Sequence, residues 1–206
     1  IVTNIDYEHI DYYKSYEKLE SAFVEFINKT PPIGKSLICI DNKNIKKIVK
    51  KITNKNILSY GFEKKANYRI INPKYYINNS IFDLHYLDTN KRKKIIKNIN
   101  LRLIGEHNIL NAAAAVAVCL NIGVNIDIIK RSLKNFSGVQ RRMTKILSRN
   151  KNIFFDDYAH HPTEISSILE GVNKVYDKNR KIVTVFEPHR YSRVISLKQE
   201  FSRSFK

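Results

Sequence analysis

The chain has 206 residues, of which 43% are hydrophobic, a share that suits a packed globular core and excludes a disordered tail. Its formal net charge of +18 raises the question of a nucleic-acid partner, but the lysines are spread along the chain among asparagine and isoleucine. A dispersed excess of lysine is weak evidence for phosphate recognition. We therefore expect no nucleic-acid partner.

Lysine and asparagine interrupt each apolar run before it reaches the roughly 18 to 20 residues that a membrane-spanning helix needs. We expect no membrane insertion. Cys39 and Cys119 have no neighbouring Cys or His at metal-ligand spacing, which predicts two buried thiols in a reducing, cytoplasmic setting. The chain begins at Ile1 inside a predicted strand and ends at Lys206 inside a predicted helix, so both ends are expected to be cut edges.

The first 60 residues predict alternating strands and helices, the pattern of a mostly parallel sheet covered by helices on both faces. Apolar residues at helical spacing predict an amphipathic helix at Tyr16–Asn28, ended by Pro31 and Pro32. The other elements expected here are strands at residues 1–5, 35–40 and 56–60 and a helix at residues 45–52.

Residues 66–103 predict an antiparallel excursion, because β-rich segments at residues 80–87 and 98–103 flank the polar turn Asp88-Thr89-Asn90. An alanine-rich helix is expected at residues 108–120, closed by Gly123 in the left-handed conformation. A further helix is expected at residues 126–136, ended by Gly138.

A domain boundary is expected near Gly138, which divides the chain into residues 1–138 and 139–206. Beyond it a second strand–helix series begins, with strands at residues 145–147, 153–157 and 181–186 and helices at residues 163–176 and from Leu197 onward. Parallel strands joined by a helical crossover end side by side, so the loops after the last two strands are expected to meet at one edge. The fold class is therefore predicted to be α/β.

Three clusters of polar residues have chemical interpretations that compete with ordinary structural ones. His9 stands among carboxylates in residues 3–11, which suits a metal or phosphate oxygens, or a solvated loop. Asn108 and Asn111 share one helix face and can pair with a nucleobase, or Asn108 can cap the helix. Arg141 and Arg142 can bind phosphate or lie on an ordinary basic surface.

A fourth cluster is less compatible with packing alone. Residues 156–164 and 186–193 each follow an apolar strand and bring Asp, His and Arg to the same edge of the predicted sheet. Buried charges there would cost several kcal/mol each unless a ligand or partner matched them. This concentration of titratable groups favours a functional site.

These blocks together resemble the Mur ligase family in order and spacing, along nearly the whole chain. The resemblance is carried by Thr3-Asn4-Ile5 with His9 and Asp11, Gly105 with His107-Asn108 and Asn111-Ala112, Gly138 with Arg141-Arg142, residues 156–164, and Pro188-His189-Arg190-Tyr191-Ser192-Arg193. It implies that residues 1–138 are the end of a central ATPase domain. Residues 139–206 would be the start of a Rossmann-like domain that binds the amino acid.

The resemblance also implies an activity, the ATP-dependent ligation of L-alanine to UDP-N-acetylmuramate through an acyl phosphate, with Mg²⁺ neutralising the phosphates. Catalytic roles would fall to His9, also the magnesium ligand, and to Arg142. ATP would be held by Asn108 and Asn111 at the adenine, Arg142 at the phosphates and Asp157 at the ribose. The alanine and muramoyl-carboxylate side would be lined by Tyr158, His160, His189, Arg190 and Arg193.

The sequence departs from the family pattern in three ways. It contains no Gly-x-x-Gly-Lys-Thr-type phosphate loop, so the isolated chain is expected to be inactive. Glu8 stands where Asp is usual before His9, and Glu187 stands where Gln is usual before Pro188. The second change adds negative charge beside the predicted carboxylate site and is expected to weaken it.

Two alternatives stay open. A murein peptide ligase has a similar His-His-Pro block, but Tyr158 and the His-Arg-Tyr-Ser-Arg run favour L-alanine ligation. A non-catalytic remnant of a decayed gene would keep the same residues without activity. The sequence predicts no oligomeric state.

Overall fold

The computed structural model describes residues 1–176 and 179–205, which form eight α-helices and seven strands. The helices are α1 Ile10–Tyr13, α2 Tyr16–Asn28, α3 Lys43–Ile48, α4 Glu106–Asn121, α5 Ile126–Asn135, α6 Pro162–Val175, α7 Tyr191–Ser196 and α8 Lys198–Ser204. The strands are β1 Ser36–Cys39, β2 Ile57–Gly61, β3 Tyr68–Tyr75, β4 Ser80–Leu87, β5 Lys93–Leu101, β6 Thr144–Arg149 and β7 Asn152–Asp156. Lys206, where a cut helix was predicted, lies outside the described residues.

The main sheet has the strand order β1-β2-β3-β4-β5 and is mixed. β1, β2 and β3 pair in parallel, whereas β4 is antiparallel to both of its neighbours. The α/β class and the antiparallel excursion are therefore confirmed. In this excursion Asp88 forms the β4–β5 turn, because its Oδ1 accepts hydrogen bonds from the backbone N–H groups of Asn90 and Arg92 at 2.9 and 2.8 Å.

The strand predicted at residues 1–5 is wrong. These residues form one isolated parallel β-bridge, between Val2 and Ile38. The side chains of Thr3 and Asn4 bond locally, with Asn4 donating to Asp6 at 3.1 Å. Such local bonds compete with the hydrogen bonds of a sheet. The chain therefore leaves the edge of the sheet within a few residues.

The alanine-rich helix α4 packs across β1 to β4 and forms the centre of the core. Ala113, Val116 and Ala117 are fully buried, and small side chains allow a helix to lie close to a sheet. Gly123 follows α4 with φ +81°, as predicted for a left-handed helix end. Cys39 is buried as expected, whereas Cys119 is only half-buried because it lies at the partly exposed end of α4.

The second unit departs from the predicted parallel arrangement. β6 and β7 form an antiparallel hairpin, and its two-residue turn, Asn150-Lys151, has positive φ values of 50° and 65°. This is the geometry of a type I′ turn, for which Asn-Gly is the usual sequence signal. Lysine at the second position hid the hairpin from sequence reasoning.

The strand predicted at residues 181–186 is also wrong, since this segment pairs with no described strand. An apolar run forms a strand only where a neighbouring strand exchanges backbone hydrogen bonds with it, and residues 181–186 pair with neither β6 nor β7. Val185 is accordingly 96% exposed. The loops that precede α6 and α7 therefore do not follow two neighbouring parallel strands.

Within the described part of the chain, no helix combines the length and the apolar character needed to cross a membrane.

A substitution at Gly61 tests how tightly the chain is packed at the end of β2. The φ of Gly61 is +146°, and a Cβ there would lie 2.5 Å from Asp41 Oδ1, whose carboxylate accepts hydrogen bonds from the Phe62 and Glu63 amides. We expect Gly61→Ala to lower the free energy of unfolding by about 2 kcal/mol in urea titrations. Gly123→Ala, with open space around its Cβ, should cost only about 1 kcal/mol. Equal losses would contradict the packing argument.

Candidate functional site

Asp157 ties together the two loops that carry most of the predicted site. Its Oδ2 accepts a hydrogen bond from the Met143 amide and its Oδ1 from the Ala159 amide, each at 2.7 Å. The Tyr158 amide also donates to the Arg141 carbonyl at 2.8 Å. The loop that follows β7 therefore lies against the segment that carries the arginine pair.

The two arginines of that segment have different surroundings. Arg142 Nη1 lies 3.3 Å from Glu164 Oε1, whereas Arg141 Nε lies 3.7 Å from Asp156 Oδ2 and its guanidinium lies 4.9 Å from the centre of the Tyr158 ring. Both side chains are more than half exposed, with 53% for Arg142 and 62% for Arg141. Each can therefore reach a phosphate from solvent, but only Arg142 is held by Glu164.

Three aromatic rings lie in a row on the predicted amino-acid side. The His160 ring centre lies 5.0 Å from that of Tyr158 and 6.3 Å from that of His189. His160 Nδ1 contacts the Tyr158 carbonyl at 2.8 Å, and its Nε2 lies 3.8 Å from Glu8 Oε1. The structure thus brings these three predicted residues together although the strand expected before His189 does not form.

Both predicted carboxylate-binding arginines contact acidic groups of the N-terminal loop. Arg193 Nη2 lies 3.2 Å from Glu8 Oε1, and the Arg193 side chain is only 9% exposed. Arg190 Nη1 lies 3.9 Å from Asp11 Oδ2, which also accepts a 3.2 Å bond from Ser192. The N-terminal loop, the loop after β7 and α7 therefore converge.

His9 belongs to the same loop, but its surroundings do not form a complete metal site. Its side chain is 60% exposed, and the carboxylate nearest to its Nε2, that of Glu8, lies 4.0 Å away. The residues that the structure describes contain no group of three or more His, Cys, Asp or Glu side chains able to hold a metal ion. His9 therefore fits a metal only as a single ligand, with phosphate oxygens supplying others.

The asparagines predicted at the adenine lie at the start of α4. Gly105 precedes the helix, so the alternative that Asn108 caps it is wrong. Asn108 Nδ2 instead donates to the Ile104 carbonyl at 2.8 Å, and Asn111 is exposed. Asn108 keeps its amide oxygen and one N–H for a ligand.

His107 directly precedes Asn108 in the first turn of α4, and sequence reasoning gave it no role. Burial lowers its pKa, Asp157 acts in the opposite direction, and Arg142 lowers the pKa further. Its Nδ1 is buried without a hydrogen-bond partner in the described part of the chain. His107 also lines a cleft of about 120 Å³ between α4 and α6.

Glu164 is the other residue that sequence reasoning left without a role. It is the third residue of α6, and its Oε2 accepts hydrogen bonds from the amides of His160 at 3.0 Å and His161 at 3.3 Å. The His161 side chain in turn accepts from the Thr163 amide at 3.3 Å, which completes a capping box. Histidine is not a preferred residue at the start of a helix, so the usual capping signal was missing.

Comparison with known proteins shows which families and relatives the chain is similar to. The Mur ligase middle domain family matches residues 1–119, and the Mur ligase glutamate ligase domain family matches residues 141–205. Over the whole chain, the UDP-N-acetylmuramate–L-alanine ligase of Pelagibacter ubique is 49% identical and that of Rickettsia felis 42% identical. The chain spans 44% of the length of each of these relatives.

Solved structures show the same fold. The UDP-N-acetylmuramate-alanine ligase MurC of Thermotoga maritima superposes with a TM-score of 0.71 at 24% identity, over 98% of this chain and 42% of that one. A murein peptide ligase of Psychrobacter arcticus gives 0.55 at 22% identity, over 81% of this chain and 36% of that one. With the family match extending over more than half of its residues, the chain belongs to the Mur ligase family.

Proposed function

We propose that the chain supplies the nucleotide and amino-acid sides of an enzyme that joins L-alanine to UDP-N-acetylmuramate, converting ATP to ADP and phosphate. The proposal is carried by one run of contacts, from Arg142 through Glu164 and His160 to Glu8 and Arg193. This run joins a cation suited to phosphate with a cation suited to a carboxylate. The 49% identity to a curated L-alanine ligase along the whole chain supports the choice of substrates.

We infer that residues 1–138 and 139–206 are the two domain portions, in line with the two family matches on either side of Gly138. A cytoplasmic setting is part of the proposal, supported by the free thiols of Cys39 and Cys119.

On the ATP side, Asn108 and Asn111 would meet the adenine edge and Asp157 the ribose. Each oxygen of Asp157 already accepts one backbone N–H, but a carboxylate oxygen can accept a second donor such as a ribose hydroxyl. Arg142 would hold the phosphates while the muramoyl carboxylate attacks the terminal phosphorus and ADP leaves. A magnesium ion, when bound, would neutralise phosphate charge, with His9 as one ligand.

On the amino-acid side, the L-alanine amine would attack the acyl carbon of the resulting muramoyl acyl phosphate, lose a proton and expel phosphate. Arg193 and Arg190 would face the alanine or muramoyl carboxylate, and each would exchange part of its contact with Glu8 or Asp11 for the substrate. Tyr158, His160 and His189 would line the space around the amine. An uncharged imidazole there can receive its proton.

A chimaera tests this function. This chain would replace the matched 206 residues of the Pelagibacter ubique relative, and the product is called the chimaera below. We expect the chimaera to sustain growth of a bacterium whose own L-alanine ligase is repressed. The rest of the Pelagibacter ubique ligase would provide the phosphate loop, and this chain would provide side chains equivalent to those that it replaces. The matched segment of the Rickettsia felis relative, which is 42% identical to this chain, is grafted into the same host as the control.

Growth with the control graft but not with a folded chimaera would contradict the proposal and favour a non-catalytic remnant. A chimaera that ligates a tripeptide in preference to L-alanine would favour a murein peptide ligase.

A further inference from the structure

Glu164 contacts both sides of the proposed site. Its Oε1 lies 3.3 Å from Arg142 Nη1 on the proposed phosphate side. Its Oε2 accepts the His160 amide at 3.0 Å and lies 3.7 Å from His160 Nδ1 on the proposed amino-acid side. Among the residues that the structure describes, no other carboxylate forms hydrogen bonds or ion pairs with both Arg142 and His160.

We propose that Glu164 is a positioning residue that holds Arg142 on the ATP phosphates and His160 beside the amino acid. This inference rests on the proposed function and gives a role to a side chain that touches neither substrate.

The charge state of Glu164 fits this role. Burial raises its pKa, but the His160 amide, the His160 side chain and Arg142 together bring the pKa below its ordinary value. The carboxylate is therefore ionised at neutral pH and attracts the Arg142 guanidinium. That contact is a single one from Nη1, so the remaining N–H groups of Arg142 stay available to phosphate.

Helix capping accounts for only half of these contacts. The capping box needs the Oε2 bonds to the backbone before α6, whereas the Oε1 contact with Arg142 adds nothing to the cap. Glutamine keeps an oxygen that can accept the backbone N–H groups, but it removes the negative charge that attracts Arg142. Glu164→Gln therefore separates capping from positioning.

The test compares four forms of the chimaera: the unsubstituted form, Glu164→Gln, Arg142→Ala and the double variant. Because a lost charge-assisted contact leaves Arg142 less ordered, Glu164→Gln should lower kcat/KM for ATP about tenfold. In the Arg142→Ala background the same change should have an effect of no more than about twofold, since Arg142 is already gone and glutamine can still accept the His160 amide. Glu200→Gln, an exposed carboxylate on α8, is the matched control and should leave kcat/KM unchanged.

Several results would overturn the inference. An equal loss from Glu164→Gln in both backgrounds would show that the residue acts independently of Arg142, and a loss of folding would assign it to capping alone. A normal kcat/KM in Glu164→Gln would leave it no role in the site. Failure of the proposed function is distinguishable, because the unsubstituted chimaera would then form no product.

Discussion

Arg142→Ala is expected to lower kcat/KM of the chimaera for ATP about 100-fold, the usual cost of removing one electrostatic donor from a phosphoryl-transfer site. The structure gives Arg142 a contact that Arg141 lacks, because Glu164 orients its guanidinium at 3.3 Å. The Tyr158 ring contacts both arginines, with its centre 4.9 Å from the guanidinium of Arg141 and 6.0 Å from that of Arg142. The acidic partner of Arg141 is Asp156 rather than Glu164.

Arg141→Ala is the matched control, since it removes the same side chain from the adjacent position. We expect its kcat/KM for ATP to fall by no more than about threefold, as for an exposed ion pair. Steady-state rates at varied ATP concentration measure both variants. Equal losses, or a larger loss for Arg141→Ala, would show that the wrong arginine has been assigned to the phosphates.

Arg193→Ala is expected to raise the KM of the chimaera for L-alanine about 10- to 100-fold, because a charge-assisted contact to a carboxylate contributes roughly 1.5 to 3 kcal/mol. The Arg193 side chain is 9% exposed and is held by Glu8 and by the His189 carbonyl, 3.4 Å from its Nη1. Such restraint means that little side-chain entropy is lost when the carboxylate binds.

The KM for ATP should stay within about twofold in this variant, because Arg193 lies on the amino-acid side of the run of contacts. Arg203→Ala removes an exposed arginine of α8 and should leave both KM values unchanged. An Arg193→Ala variant with normal alanine kinetics would refute the assignment of Arg193. A parallel rise in both KM values would point instead to a general loss of structure.

Local sequence patterns predicted most of the individual elements but not all of their pairings. The period of apolar residues located α2 and α4, and Asp88 marked the β4–β5 turn, because these features depend on residues close together in the chain. Strand pairing depends instead on which other segments of the chain lie beside a strand in the folded protein. The β6–β7 hairpin and the unpaired segment at residues 181–190 were therefore missed.

The candidate site shows the same division between local and long-range information. Motif residues such as His160 and Arg193 could be named from the sequence, since the blocks around them resemble a family. The ion pair between Glu8 and Arg193 joins residues 185 positions apart, which no local pattern encodes. Glu164 was hidden differently, because its motif position gave no sign that Arg142 would lie 3.3 Å away.

The most direct test of the account is to measure ADP and ligated product together in the purified chimaera. With UDP-N-acetylmuramate, L-alanine, ATP and Mg²⁺ present, we expect one UDP-N-acetylmuramoyl-L-alanine by mass spectrometry for each ADP released, and no product when any substrate is withheld. This ratio follows from a single acyl phosphate consumed by a single amine. ADP release without the L-alanine product, from a folded chimaera, would contradict the proposed function.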